Sequence, residues 1–259
     1  MPASSDDDVD TDARPVLLLL HGGGPGVDAE SNWASVRPRL SARFRCLAPD
    51  LLGFGTRITG ATGIEGPRAW ALARARQVRD LLDRESLDRV HLVGNSAAGG
   101  AAALALLSMA PDRVERAVVM GGAGTGPLPP SVPFYDDPTE ESMRATLGRL
   151  VADEGVHSAL LDELAGIRLR QALRPGAEPA FRSMFAGAAG LPPIDLATIA
   201  TPVLALHGEC DRVSPVEVSE LLVDSLPNAR LNVVAGSGHW IHVDRPEEFC
   251  SLVGEFLSS

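Results

Sequence analysis

The sequence lacks the features that mark membrane, secreted and zinc-binding proteins. No apolar run approaches the roughly 18 residues of a membrane span, and the first residues are acidic where a secretory signal is basic and then apolar. The three cysteines, Cys46, Cys210 and Cys250, have no C-x-x-C or His-paired spacing, which argues against a disulfide framework and a zinc site. We therefore expect a cytoplasmic protein without a bound metal.

Positive charge is also scarce. The formal net charge is -11 at pH 7, which argues against nucleic acid and an anionic membrane surface as partners. Several of the acids lie at the extreme N-terminus, and we predict residues 1–14 to be a disordered acidic lead. Apolar residues, by contrast, make up 45% of the 259, which is enough for one large α/β domain with a sizeable core.

Apolar strand-like runs alternate with helical patterns along most of the chain. This alternation predicts an α/β fold with a mostly parallel sheet flanked by helices. Between residues 125 and 200 only helical patterns occur, and the alternation resumes at residue 201. We predict an α/β core formed by residues 15–124 and 201–259, with a helical lid inserted at 125–200.

A strand, a sharp turn and a helix are predicted around Ser96. The apolar run from Val90 ends at Gly94, and an Ala-rich helical segment begins at Ala97. This arrangement is typical of a nucleophile elbow, in which the turn lifts a serine oxygen above the sheet. Ala98 stands where the G-x-S-x-G pattern has glycine, so a plain turn in which Ser96 caps the helix is the alternative.

Two further strand ends carry the groups that a serine nucleophile needs. Asp211 follows the strand predicted at 202–207, and His239 lies in a glycine-flanked loop after the strand predicted at 230–235. An imidazole can take the serine proton, and a carboxylate holds that imidazole in the right tautomer. The chain order Ser, Asp, His is that of α/β-hydrolases. Glu209 competes with Asp211 as the acid, and capping of the next helix is the alternative role of Asp211.

The loop after the first strand is rich in glycine and runs from His21 to Gly26. A tetrahedral oxyanion needs two backbone NH donors, and the candidates are Gly23 in this loop and Ala97, which follows the serine. His21 lies beside this site, and we predict that it supports the loop.

These residues resemble the motifs of α/β-hydrolases, and within them of the meta-cleavage product hydrolases, which cleave a C–C bond in 2-hydroxy-6-oxo-dienoates. The matching segments are the HGGGPG loop from His21, Ser31-Asn32-Trp33, Gly94-Asn95-Ser96, the lid segment from Glu163 to Arg168, and Gly238-His239-Trp240. The resemblance implies an enzyme that needs no cofactor and acts on a small-molecule carboxylate, which Arg168 binds. Further substrate contacts that it implies come from Gly24, Asn32, Asn95 and Trp240.

Alternatives remain for several of these residues. Arg168 can instead pair with the nearby acids Asp162 and Glu163, Asn32 can cap its helix, and Trp240 can belong to the core. A carboxylesterase or lactonase that uses the same triad, or a ligand-binding homologue with slow turnover, is the alternative function.

The start of the chain departs from the family pattern. The family begins with an antiparallel hairpin, which the short acidic lead of this chain does not supply. We expect the hairpin to be absent or to lie upstream, and its absence leaves a sheet edge that a homodimer contact can cover.

Overall fold

A six-stranded parallel sheet forms the centre of the structure, a computed structural model that describes residues 14–60, 63–122, 134–186 and 194–259. The strand order is β2-β1-β3-β4-β5-β6, and each of the five pairings is parallel. The strands are β1 Val16–Leu20, β2 Arg45–Leu47, β3 Val90–Asn95, β4 Val114–Met120, β5 Val203–Gly208 and β6 Ala229–Val234. The predicted α/β-hydrolase fold is confirmed.

Helices connect the strands and cover both faces of the sheet. Those between β1 and β4 are α1 Ala29–Trp33, α2 Arg37–Leu40, α3 Gly66–Arg84 and α4 Ala101–Met109. Those after β4 are α5 Glu140–Gly148, α6 Ser158–Ala172, α7 Ala177–Met184, α8 Glu217–Ser225, α9 Ile241–Asp244 and α10 Pro246–Leu257. Short 3-10 helices lie at Gly55–Gly60, Pro111–Arg113, Phe134–Asp136 and Leu196–Thr198. In the described ranges, no helix is long and apolar enough to cross a membrane.

Alternate side chains of β1 enter two separate cores. Leu18 and Leu20 pack with α3 and α4 on one face of the sheet, whereas Leu17 and Leu19 pack on the other face with α10 and with Trp33 of α1. A strand buried on both faces reads as a continuous apolar run, which is why the sequence VLLLL forms the first strand.

Three helices, α5, α6 and α7, lie between β4 and β5. Helices α5 and α6 share a third apolar cluster that includes Met143, Leu147 and Leu161 and that also takes in Trp240 from the loop after β6. The buried side chains of Ala180 and Met184 in α7 instead pack in the cluster of α3 and α4. The division into a core and a lid inserted at 125–200 stays a prediction, because its edges at 123–133 and 187–193 lie outside the described residues. Residues 1–13 of the predicted acidic lead also lie outside the described residues. The expectation about an N-terminal hairpin therefore stays a prediction.

One helix was predicted wrongly. The pattern from 32 to 42 suggests a single helix, but the structure has α1 and α2 separated by a turn. Pro38 lacks an NH group and its ring clashes with the carbonyl four residues earlier, so it is tolerated only in the first turn of α2. Asp28 starts α1, since its side chain accepts a hydrogen bond from the Ser31 amide at 2.7 Å.

Candidate active site

Ser96 lies at the turn between β3 and the helical segment that leads into α4. Its φ of 54° is in the left-handed region, which a non-glycine residue adopts only under constraint from its surroundings. Residues Ser96–Gly100 form a π-helical turn before α4 begins. A Cβ on Gly99 would lie 2.1 Å from the Leu20 carbonyl oxygen, so this is the position where the turn needs glycine. The glycine that the G-x-S-x-G pattern has at the position of Ala98 is therefore needed one residue later, at Gly99.

The structure brings Ser96, His239 and Asp211 together at the carboxyl edge of the sheet. The Ser96 Oγ lies 2.9 Å from His239 Nε2, and His239 Nδ1 lies 2.7 Å from Asp211 Oδ2. With Nδ1–H donating to the carboxylate, Nε2 is free to accept the serine proton. Both the imidazole and the carboxylate are almost completely buried.

Asp211 is held by its own loop as well as by His239. Its Oδ1 accepts hydrogen bonds from the amides of Val213 and Ser214 at 2.7 and 2.9 Å. Burial would raise the pKa of Asp211, but the hydrogen bonds from His239 and from these two amides outweigh burial and hold the pKa below its usual value. The side chain is therefore an anion at neutral pH, as an acceptor for imidazolium must be.

Glu209, the competing acid, points elsewhere. Its side chain is exposed, and its Oε2 accepts a hydrogen bond from the Gly236 amide at 2.9 Å. The alternative role of Asp211 as a cap of α8 also fails, because α8 begins at Glu217, beyond the two amides that Asp211 contacts. The geometry thus selects Asp211 as the partner of His239.

Two neighbours of His239 and Asp211 were not predicted as part of the site. Gly121 follows β4 with a φ of 66°, and a Cβ there would lie 2.5 Å from His239 Cε1. His207 is fully buried and bonds the Ser214 carbonyl oxygen at 2.9 Å through Nε2. Burial lowers the pKa of His207. A glycine at the carboxyl end of a buried strand was the available indication for Gly121.

The glycine loop lies directly against the turn that carries Ser96. A Cβ on Gly23 would lie 3.0 Å from the Ala98 Cβ, and no described residue accepts a hydrogen bond from the Gly23 amide. His21 supports the loop, since its Nδ1 donates to the Gly22 carbonyl at 2.8 Å and its Nε2 accepts from the Leu51 amide at 2.9 Å. Burial lowers the pKa of His21 to about 4, so the ring is neutral.

Asn32 and Asn95 form a buried pair beside the glycine loop. The Asn32 Oδ1 accepts hydrogen bonds from Asn95 Nδ2 at 3.1 Å and from the Gly22 amide at 3.0 Å. The Asn95 Oδ1 is buried and has no hydrogen-bond partner among the described residues. Asn32 is therefore not a helix cap, since Asp28 takes that position and the Asn32 side chain orients Asn95 instead.

Arg168 of α6 is a buried cation. Its side chain is 2% exposed, and its Cζ lies 4.9 Å from the centroid of the Trp240 ring. Burial lowers the pKa of Arg168 to about 10, and the negative charge of Asp28 opposes this, so the guanidinium remains charged at neutral pH. In the described part of the chain, nothing accepts a hydrogen bond from its Nε or Nη2.

The predicted alternative for Arg168 fails in the structure. Asp162 pairs with Arg144 at 2.7 Å, and both Asp162 and Glu163 are exposed on the outer side of α6. Arg168 faces inward to the glycine loop instead, where a Cβ on Gly24 would lie 3.3 Å from its Nη1. Trp240 belongs to the third core cluster and also forms one wall beside this guanidinium.

Comparison with known proteins agrees with this arrangement. The model of the alpha/beta hydrolase family matches residues 17–252, and the chain belongs to this family. A 2-hydroxy-6-oxo-2,4-heptadienoate hydrolase from Pseudomonas putida is 36% identical, over 96% of this chain and 91% of the relative. A 2-hydroxymuconate semialdehyde hydrolase from a Pseudomonas species is also 36% identical, over 96% of this chain and 89% of the relative.

Among solved structures, that of a 2-hydroxy-6-oxo-6-phenylhexa-2,4-dienoate hydrolase from a Rhodococcus species is similar with a TM-score of 0.85. The two chains are 32% identical, and the match covers 95% of this chain and 91% of the other. The resemblance to meta-cleavage product hydrolases that the motifs predict is confirmed.

Proposed function

We propose that this protein hydrolyses a C–C bond in a 2-hydroxy-6-oxo-dienoate, with Ser96 as nucleophile, His239 as general base and acid, and Asp211 as the group that orients His239. The observation that carries the proposal is Arg168. Two donor atoms of this buried guanidinium have no acceptor among the described residues, which is costly, and a carboxylate is the group that pairs with a guanidinium best. A neutral ester has no carboxylate to pair with this cation, whereas the dienoate has a carboxylate at one end.

The asparagine pair fits the oxygen next to that carboxylate. Asn95 has a buried carbonyl oxygen without a partner among the described residues, and Asn32 holds the amide in a fixed orientation. An enol OH can donate to this oxygen, so the pair favours the 2-hydroxy group of the substrate. Gly24 and Trp240 complete the contact surface around Arg168.

The reaction begins with a change of tautomer. The dienol must become a ketone before its second carbonyl can accept a nucleophile, and His239 can carry the proton from the enol oxygen to C5. His239 then takes the Ser96 proton as Oγ adds to the C6 carbonyl. The NH groups of Gly23 and Ala97 are the proposed donors to the resulting oxyanion.

Collapse of the oxyanion breaks the C5–C6 bond. The electron pair of this bond moves along the conjugated chain to the C2 oxygen, which receives the proton held by His239. The C1–C5 fragment then leaves as a 2-hydroxypentadienoate. The acyl group stays on Ser96. His239 then deprotonates a water molecule, which attacks the ester and releases a second carboxylic acid.

Stopped-flow absorbance with 2-hydroxy-6-oxo-6-phenylhexa-2,4-dienoate tests the proposal. We expect rapid loss of the yellow dienolate and release of benzoate, and a Ser96→Ala variant that can still form the ketone but releases no benzoate. Absence of bleaching together with Ser96-dependent hydrolysis of p-nitrophenyl esters would favour a carboxylesterase or lactonase. Absence of both activities would favour the ligand-binding alternative.

A further inference from the structure

Asp244 is a buried carboxylate at the end of α9, five residues after His239. Its side chain is 3% exposed. One oxygen, Oδ2, accepts hydrogen bonds from the Gly238 amide at 2.7 Å and from the Ala152 amide at 3.0 Å. The other oxygen, Oδ1, lies 2.9 Å from His157 Nε2. The carboxylate therefore joins the residue before His239 to the segment between α5 and α6.

The last residue of α5 and the turn that follows it, residues 148–152, contact the loops of both His239 and Asp211. The Trp240 amide donates to the Leu150 carbonyl oxygen at 2.7 Å, directly after His239. Arg212, directly after Asp211, donates through Nη2 to the carbonyl oxygens of Gly148 at 2.7 Å and Val151 at 2.9 Å. The turn at 148–152 is thus a shared support for the two loops.

We propose that Asp244 is a positioning residue that sets the place of His239 through the Gly238 amide, with the turn at 148–152 as the fixed support. This proposal rests on the catalytic roles proposed for Ser96 and His239. An amide that is buried without an acceptor costs free energy, so the loop shifts when the carboxylate is removed. Because His239 Nε2 must stay within hydrogen-bond distance of Ser96 Oγ, even a small shift impairs proton transfer.

Two substitutions separate the hydrogen bonds of Asp244 from its charge. In Asp244→Asn, the amide oxygen can still accept from Gly238 and Ala152 while the NH2 group faces His157. In Asp244→Ala, both backbone amides lose their acceptor. Asp83→Asn is the control, because Asp83 also accepts a hydrogen bond at 2.7 Å, in its case from Arg113, but lies beside the amino end of β4, away from Ser96.

The test is the rate at which a fluorophosphonate probe labels Ser96. In this reaction the serine oxygen bonds to phosphorus, fluoride leaves, and His239 takes the serine proton, so the rate measures the Ser96–His239 geometry without any need for the natural substrate. We expect the second-order rate constant to fall by about 100-fold in Asp244→Ala and to stay within about threefold in Asp244→Asn. Asp83→Asn is expected to keep the wild-type rate.

Steady-state kinetics adds a second readout. With a substrate that the wild type hydrolyses, kcat should fall in Asp244→Ala by a larger factor than KM rises. Arg168 and Asn32 lie on other elements, and the Trp240 amide keeps its own hydrogen bond to the Leu150 carbonyl oxygen. Circular dichroism checks folding, and Asp244→Ser replaces Asp244→Ala if the latter does not fold. Wild-type labelling of a folded Asp244→Ala variant overturns the proposal, and so does an equal loss in the Asn and Ala variants.

The outcomes for the two proposals are distinct. If the wild type is not labelled, or if Ser96→Ala is labelled equally well, the proposed catalytic serine is wrong. If the wild type is labelled through Ser96 but Asp244 has no influence on the rate, only the positioning role is wrong.

Discussion

The methyl group of Ala98 faces Gly23 so closely that a Cβ on Gly23 would lie 3.0 Å from it. The substitution Gly23→Ala should therefore push the glycine loop away from the Ser96 turn. Overpacking of this kind costs about 1–3 kcal/mol, and we expect kcat/KM to fall by roughly 10-fold. Steady-state kinetics of the single variant measures this effect.

The double variant identifies the cause of that loss. Because Ala98→Gly removes the methyl group that Gly23→Ala meets, the pair should recover most of the activity, with a coupling energy of about 1 kcal/mol. Ala98→Gly alone serves as the control. A double variant as slow as Gly23→Ala would mean that contact with Ala98 is not the reason.

Asp211→Asn should be far more damaging than Glu209→Gln. An asparagine can present its NH2 group to His239 Nδ1 and so favour the wrong tautomer, and we expect kcat to fall by about 10⁴-fold, as for the same change in another Ser-His-Asp triad. Glu209→Gln keeps an acceptor for the Gly236 amide and should leave kcat within about twofold. Similar losses in both variants would contradict the assignment of Asp211 as the acid, and a larger loss in Glu209→Gln would transfer that role to Glu209.

Arg168→Met should weaken substrate binding and stabilise the fold at the same time. Loss of a charge-assisted contact to a carboxylate should raise KM by about 100-fold. Arg168 Nε and Nη2 are buried without an acceptor among the described residues, so replacement of this charge by an apolar side chain should raise the free energy of unfolding by about 1–3 kcal/mol. Kinetics and urea denaturation measure the two effects, with Arg170→Met, exposed on the same helix, as the control. An unchanged KM would contradict the carboxylate contact.

Two buried histidines should make the fold sensitive to acid. Burial lowers the pKa of His21 to about 4 and that of His242 to about 3, whereas the ordinary value is 6.5. Below pH 6.5 the unfolded chain binds protons that the folded chain does not, so the free energy of unfolding falls as the pH drops, by up to about 1.4 kcal/mol per pH unit for each histidine. The loss for each histidine is complete near its folded pKa.

His242→Gln tests the contribution of one of them. The glutamine keeps a donor for the Asn32 carbonyl oxygen, which His242 Nε2 contacts at 2.8 Å, but does not titrate. Urea denaturation at several pH values between about 7 and 4 should therefore show a shallower decline than in the wild type. Equal slopes for the two proteins would contradict the assignment of a neutral His242.

The elements that the sequence predicted best are those with a strong local pattern. The sequence pattern predicts a strand at 16–20 and a helix at 246–257, and β1 and α10 have these bounds. The reason is that β1 is a short apolar run buried on both faces and that α10 has Pro246 in its first turn. The single helix predicted at 32–42 failed because one proline outweighed the apolar periodicity around it. Local patterns were thus sufficient where a single feature dominated.

Some site residues were likewise predictable from local patterns, and others were not. Ser96, Asp211 and His239 each follow a recognisable strand, so their convergence was predictable from the parallel topology. The contact of Gly121 with His239 and the hydrogen bonds of Asp244 depend on distances between segments far apart in the chain, which no local pattern encodes. The lack of a described acceptor for Arg168 Nε and Nη2 likewise depends on how distant segments pack together.

The left-handed backbone at Ser96 limits which other nucleophiles this turn could evolve to carry. A β-branched residue such as threonine is strongly disfavoured at a φ of 54°, even though its hydroxyl could do similar chemistry. Aspartate and asparagine tolerate this conformation best among non-glycine residues. Exchange of the serine for a carboxylate therefore requires less change in the backbone than exchange for the chemically closer threonine.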